Sequence, residues 1–385
     1  MTDFNGLLNS NELRTSLFNQ LISIDVYTSN IKHTYSNVLN ANRVDGSLYG
    51  DTKVYTFGDL KHVLDWAGIA ECSRLLETDV NQRFTQKKIT LNKWKMIVDT
   101  TQPYMDKRAW LGEGGYGQFV SLANQLVVDT KKVYLAELYN SFICTHDASN
   151  ANIHTLTITI PYVANLEARN RLEAQIIATE IANLYDEGIK DVSRDYNEFG
   201  YRMSFDEGSL MTIINAKYAN KITKLDIPTI FNKEGLAPNA EKLPSRFFGT
   251  VNSSATVGDG STVRSLVATE FTATGNITYD SIAYKSGDII PVEPGALVPT
   301  GYTAKAGESY TVDPSIAFKI MAKGNVPFMT GMNVEEDYHN PRGQANTKYV
   351  IFGYNTLETI GLPYITVKVN YEAAPAEPET PGEGE

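Results

Sequence analysis

The stretch from Gln118 to Phe142 constrains this chain more than any other. Val120, Ala123, Val127, Tyr134, Leu138 and Phe142 repeat at helical spacing, and Phe119, Leu122, Leu126 and Val133 widen the stripe. The spacing predicts the longest helix of the chain, about 38 Å at 1.5 Å per residue. A stripe of that width has to face a core. Strand signals surround it. Leu156, Ile158 and Ile160 alternate up to Pro161, and Ile365, Val367, Val369 and Tyr371 alternate near the end. The fold class expected is therefore α+β.

Ile89–Val98 reads as a strand with a flaw. Ile89 and Leu91 share one parity, whereas Trp94, Met96 and Val98 share the other. A period of two cannot hold both on one face unless a bulge or strong twist falls near Asn92-Lys93. Long bent two-stranded ribbons have such features, so Lys53–Phe57 and Ile89–Val98 are expected as two legs of one. Leu60–Cys72 reads as a short helix or irregular segment.

Asn165 is placed to cap a second helix through Glu187, with Leu172, Ile176, Ile177, Ile181 and Leu184 inside and Gly188 as a C′ glycine. Arg202–Phe205 reads as a short strand, followed by a capped turn of helix from Asp206 to Ile214. At the N-terminus, Leu13, Leu17, Leu21 and Ile24 predict a helix over Asn11–Ile24, and the remainder to residue 45 reads as an extended arm. Between Phe248 and Tyr310, Gly, Thr, Ser, Val and Pro dominate, with short strands around 269–273, 276–279 and 281–284, so a small all-β insert is expected there. Residues 372–385 carry five Glu and three Pro and read as a disordered acidic tail.

Composition removes most chemistry. The chain has 385 residues, 34 Lys plus Arg against 45 Asp plus Glu, and a net charge of −11. Such a balance argues against gripping a phosphate backbone. Five scattered His and two Cys (Cys72, Cys144) make multi-ligand zinc, haem or iron–sulfur centres improbable. The cysteines can pair, but buried thiols are the simpler expectation. No signal peptide is recognisable, and no window is apolar enough to cross a bilayer; the chain reads as soluble and intracellular when made.

Three patterns remain. Gly112-Glu-Gly-Gly-Tyr-Gly117 fits G-x-G-x-x-G at the opening of the long helix. It lacks a strand directly before it and an acidic residue at a second strand tip, so Gly112, Gly114, Gly115 and Gly117 read as a flexible joint and not a pyrophosphate cradle. Glu335–Asp337 with His339 reads as a solvated acidic loop rather than a cation site. Cys144 and His146 are close in sequence, with no sign of a fold-supplied base for a nucleophile. No catalytic, cofactor or metal residues are assigned.

The order of these elements resembles the major capsid proteins of tailed double-stranded DNA phages, the HK97-like capsid fold. The resemblance implies an N-terminal arm (1–45), an extended loop (46–100), a spine helix with a peripheral domain (101–214, completed by 345–371) and an axial domain (215–344) holding the insert at about 249–312. Tyr104–Trp110 and Gly117–Phe142 resemble the family's lead-in and spine helix. Tyr349–Thr356 and Pro363–Val369 resemble its closing strands. It implies self-assembly into pentamers and hexamers, a separate scaffolding protein, a portal protein, enclosed DNA bound without sequence specificity, no membrane and no cofactor. It places the protein in the virion after assembly in the host cytoplasm. Leu13, Leu17 and Leu21 on the arm, and Tyr49, Tyr55, Phe57, Trp66, Phe84 and Trp94 on the loop, are then the expected intersubunit contacts. On the sequence alone, a tail or decoration protein and an enzyme of unrecognised type stay open.

Overall fold

The structure is a computed structural model. It describes residues 31, 33–61, 83–102, 113–146, 154–224, 240–258, 260 and 262–374. The expected helix at 11–24, Trp66, Cys72, Gly112 and the tail beyond residue 374 lie outside the described residues.

Among the described residues the order starts with helix α1 (Asn37–Asn42), β1 (Arg43–Asp45), β2 (Thr52–Gly58), β3 (Phe84–Thr90), β4 (Lys93–Thr101) and the long helix α2 (Glu113–Cys144). Next come β5 (Thr145–His146), β6 (His154–Ile160), α3 (Leu166–Asn183), β7 (Leu210–Asn215), α4 (Ala216–Lys224) and β8 (Ala240–Leu243). The insert holds β9 (Gly249–Val251), β10 (Ala255–Thr256), β11 (Val263–Ser265), β12 (Thr269–Thr272), β13 (Ile277–Tyr279), β14 (Ile282–Tyr284), β15 (Ile289–Val292), β16 (Thr303–Ala304) and β17 (Ser309–Val312). β18 (Ile316–Ala322), β19 (Phe328–Asn340), β20 (Ala345–Thr356) and β21 (Tyr364–Tyr371) close the chain.

Two sheets carry the architecture. The first has the order β1-β19-β20-β4, and α2 lies across one face of it. Tyr134 of α2 meets the rings of Phe352 and Tyr354 edge-on, 5.8 and 6.2 Å away, and Leu138 and Tyr139 join the same core. The second has the order β6-β21-β18-β7-β8. Ile177 and Ile181 of α3 and Tyr218 of α4 cover one of its faces, and the core under α2 covers the other. Both β7 and β18 are buried along their whole length, which explains their continuous apolar runs. At the heart of β18 the buried amine of Lys319 donates to Thr145 O and Tyr364 Oη, each at 3.1 Å. Glycine is required where three strands converge: a Cβ on Gly331 would run into the Gly46 carbonyl.

The parity flaw at Asn92 is a change of sheet. β3 pairs with β2 as a ribbon, Thr90 opposite Thr52, whereas β4 pairs with β20, Ile97 opposite Val350. Leu91 ends the ribbon fully buried, and from Lys93 the chain has entered the first sheet. The ribbon's second leg is thus Phe84–Thr90 and not Ile89–Val98.

Other expectations are corrected. Residues 37–45, expected in an extended arm, are part of the body: Val38 and Leu39 of α1 sit in the main core, and β1 pairs with β19. The long helix begins at Glu113, so Gly114, Gly115 and Gly117 lie in its first turns instead of forming a joint ahead of it. Asn165 does cap α3, its Oδ1 accepting from the Glu167 and Ala168 amides, but a π-helical turn over Leu184–Ile189 absorbs Gly188. Leu210–Ile214 is a strand, not a helical turn, because Thr212, Ile213 and Ile214 are β-branched and buried. Glu335–Asp337 lie in β19, where successive side chains point to opposite faces and three carboxylates do not converge. The divisions at 214/215 and 344/345 do not follow the sheets. The second sheet takes strands from 154–160, 210–215, 240–243, 316–322 and 364–371, and β20 and β21 belong to different sheets.

The insert is rooted in the body. β5, directly after α2, pairs with β9 in the sheet β11-β17-β9-β5. Phe247, Phe248 and Tyr310 at its base are fully buried. A separate small core of Ala273, Ile290 and Val292, with Phe271, Tyr279 and Tyr302 around it, belongs to the distal part.

Candidate assembly surfaces

On the first sheet, alternation puts Val350 and Phe352 under α2 and leaves the opposite face open. On β4 that open face shows Trp94, Met96 and Val98, exposed by 58, 49 and 49%. Their cross-strand neighbours on β20 are Gly353, Ile351 and Tyr349, and Val334 of β19 continues the row beyond Ile351. A run of large apolar side chains over three paired strands is a contiguous patch of the kind that marks an interaction site. Scattered single exposures would mean nothing.

The ribbon β2–β3 is the second surface. Its base is fixed by Ile89 and Leu91, buried with Met329 and flanked by Tyr55. Its outer part leans on residues 194–202, between α3 and β7. Lys87 forms an ion pair with Glu198, and the ring of Phe57 lies 6.1 Å from that of Phe199. Thr85 and Tyr201 share a hydroxyl hydrogen bond of 2.6 Å. Asp59 accepts from the Arg202 amide at 3.0 Å and from the Arg194 guanidinium at 2.8 Å. Those contacts, the Arg202 amide first, pull the Asp59 carboxyl down to about 2.

The loop residues expected from sequence therefore divide. Tyr49, Phe84 and Trp94 are exposed, at 58, 65 and 58%. Tyr55 and Phe57 are half-buried and make contacts within the chain, and burial raises the Tyr55 hydroxyl. Leu13, Leu17, Leu21 and Trp66 lie outside the described residues, as does Gly112. Met96 and Val98 were not singled out as contacts, although the parity they share with Trp94 is the signal that finds them.

Among the described residues no cluster of His, Cys, Asp and Glu could hold a metal, and no helix is long and apolar enough to cross a membrane. Cys144 is buried beside Lys319, and burial pushes its thiol up to about 12, the wrong direction for a nucleophile.

A long helix laid across one sheet, a ribbon leaving that sheet's margin and a second sheet under two helices together make up the HK97-like capsid fold. Solved structures show it. The chain matches one from the capsid structure of Staphylococcus phage Andhra with a TM-score of 0.59 and 9% identity, over 88% of this chain and 86% of that one. It matches another from the structure of head fiber and inner core protein gp22 of native bacteriophage P68 with a TM-score of 0.55 and 11% identity, over the same shares. No protein-family profile and no curated protein matches the sequence. The fold is shared while nearly all side chains differ, so its cores are met by many sequences of suitable pattern and volume.

Proposed function

We propose that this chain is a major capsid protein, many copies of which form pentamers and hexamers of an icosahedral head shell around double-stranded phage DNA. The fold it shares with phage structural proteins supports the reading, and the open face bearing Trp94, Met96 and Val98 carries it. Each such side chain is already about half buried, so covering the rest by a neighbour contributes roughly 1 kcal/mol. Closed rings need heterologous contacts of this kind, and repetition lets each be modest. The net charge of −11 suits a wall that encloses DNA without holding it. The role is structural, with no reaction assigned. A scaffolding protein, a portal, assembly in the host cytoplasm and a place in the virion belong to the same reading. Within it, the first sheet with α2 serves as the peripheral domain and the second sheet with α3 and α4 as the axial domain.

The test is assembly. Coexpressed with its scaffolding protein, the chain is expected to give shells hundreds of ångströms across in electron micrographs. Met96→Glu with Val98→Glu should leave a folded chain that forms none. A wild-type chain that stays a small oligomer, or shells unaffected by both charges, would overturn the reading.

A further inference from the structure

The face of the first sheet under α2 is not covered from end to end. Between the helix residues Asn124–Leu135 and strands β1, β19 and β20 lies a cleft of about 590 Å³, a volume that suits one small molecule. Its floor is apolar, with Leu39, Val127, Leu135, Val350 and Phe352, and it runs for roughly 17 Å along α2. Val128, on its wall, is 46% exposed.

The polar groups around the cleft set the charge of what fits it. Arg43, Lys131, Lys132 and Lys348 stand against Asp45 and Glu335, so 4 − 2 = +2 in a chain whose total is −11. Both carboxylates are engaged, Asp45 by Arg43 at 2.8 Å and Glu335 by Lys348 at 3.2 Å. Lys131 is placed differently. Its amine lies 5.2 Å from the centre of the Phe352 ring, over the apolar floor, and donates to the neutral Asn333 Oδ1. Burial lowers its ammonium, with Glu335 pulling the other way and Arg43 adding to the fall. An anion brought to this amine would replace lost hydration with a charge-assisted hydrogen bond.

A second observation is independent of charge. Thr330 stands opposite Tyr354, on the α2 side of the sheet, and lines the same cleft. Its buried hydroxyl has no hydrogen-bond partner among the described residues, a state that native folds seldom leave unanswered.

We propose that the cleft binds a single-chain anionic amphiphile of the alkyl carboxylate class. Its chain lies along Leu39, Val127 and Leu135, and its head group sits towards Lys131, with the Thr330 hydroxyl as a further donor. A neutral chain of equal length forgoes the charge-assisted bond, and a cationic one meets the cationic excess. The ligand touches α1, β1, α2, β19 and β20 together, so occupancy ties the first described elements to the half-covered sheet and stabilises the fold by mass action.

Titration calorimetry on the full-length, unassembled chain tests this, with sodium decanoate below its micelle concentration as the probe. Saturable one-to-one binding is expected, and each methylene removed from the probe should weaken it about fourfold. Decanol and decyltrimethylammonium should bind about tenfold more weakly or worse. Lys131→Gln should cost decanoate a similar factor while leaving decanol unchanged, and Thr330→Val should cost it several-fold. Val128→Trp, at a half-exposed wall position, should abolish binding of both. Circular dichroism checks that each variant is folded, and the head-group series on wild type decides the matter without them. Affinity that ignores the head group, or that survives both Lys131→Gln and Val128→Trp, would overturn the proposal as adsorption to exposed apolar surface. Absence of saturable decanoate binding would overturn it outright.

Discussion

The two sheets of this protein are finished to different degrees. The five-stranded sheet is covered on both faces along its central strands by its own chain: β7 and β18 are buried throughout, and their polar members are matched. Tyr185 and Thr212 share a hydroxyl hydrogen bond, and buried Glu173 accepts from Lys221 at 2.8 Å and from Tyr371 Oη at 3.1 Å. The four-stranded sheet is covered on one face only, and the other presents Trp94, Met96 and Val98 to water. The first sheet thus supplies the chain's incomplete surface, and the second supplies the stability that tolerates it.

Four changes sharpen or break that contrast. The largest effect is expected from excising 248–310. This removes Phe248 from the core beneath the covered sheet and buried Tyr310 from the base of the insert, so the product should be insoluble or lack a cooperative unfolding transition. Excising only 269–292, whose core is its own, should leave that transition in place by circular dichroism. If both deletions behave alike, the insert is not rooted as described.

Next are single truncations on the two sheets. Phe318→Ala in β18 should cost about 3–5 kcal/mol of unfolding free energy in denaturant titration. Met96→Ala on the open face should stay within about 0.5 kcal/mol while reducing assembly. Equal costs would mean that the open face is structurally complete already.

Third is a pH effect confined to the covered sheet. Burial lowers the Lys319 amine to about 8. Between that value and its usual one near 10.5 the unfolded chain holds a proton that the folded chain lacks, so stability rises with pH there. The cost of burying the charge is full below pH 8 and fades above it. A gain of about 2 kcal/mol is expected between pH 8 and 9.5, and Lys319→Met should remove most of that slope. A flat wild-type profile would show that the amine is not desolvated.

The smallest effect is at the ribbon. Asp59 is held at about 2, so its contribution to docking on 194–202 is present above the usual carboxylate range and lost as pH falls from about 4 towards 2. Hydrogen exchange in β3 should quicken over that interval, and Asp59→Asn should make it insensitive to pH. Exchange that does not respond would mean that Phe57, Thr85 and Lys87 hold the ribbon without Asp59.

Much of this was legible in the sequence, and what was not has a physical cause. The stripe on 118–142 identified α2, and the parity break at Asn92 located the change of sheet to within a residue. The alternation of Trp94, Met96 and Val98 showed that β4 has two unlike faces. It could not show which face the chain covers, because that depends on β20, more than 240 positions away. For the same reason the strands at 210–215 and 364–371 could not be assigned to one sheet, since pairing at such separations leaves no local trace. Leu210–Ile214 was misread as helix because a short run buried on both faces shows no period at all. A cleft of about 590 Å³ between α2 and the first sheet was invisible, its lining being drawn from residues 39–46, 124–135 and 330–353.

A reconstruction of assembled particles by electron cryomicroscopy tests the central claim most directly. The account predicts closed shells in which Trp94, Met96 and Val98 lie against a second copy of the chain. Shells in which that row faces solvent, or a protein that forms no shell with its scaffold present, would contradict it.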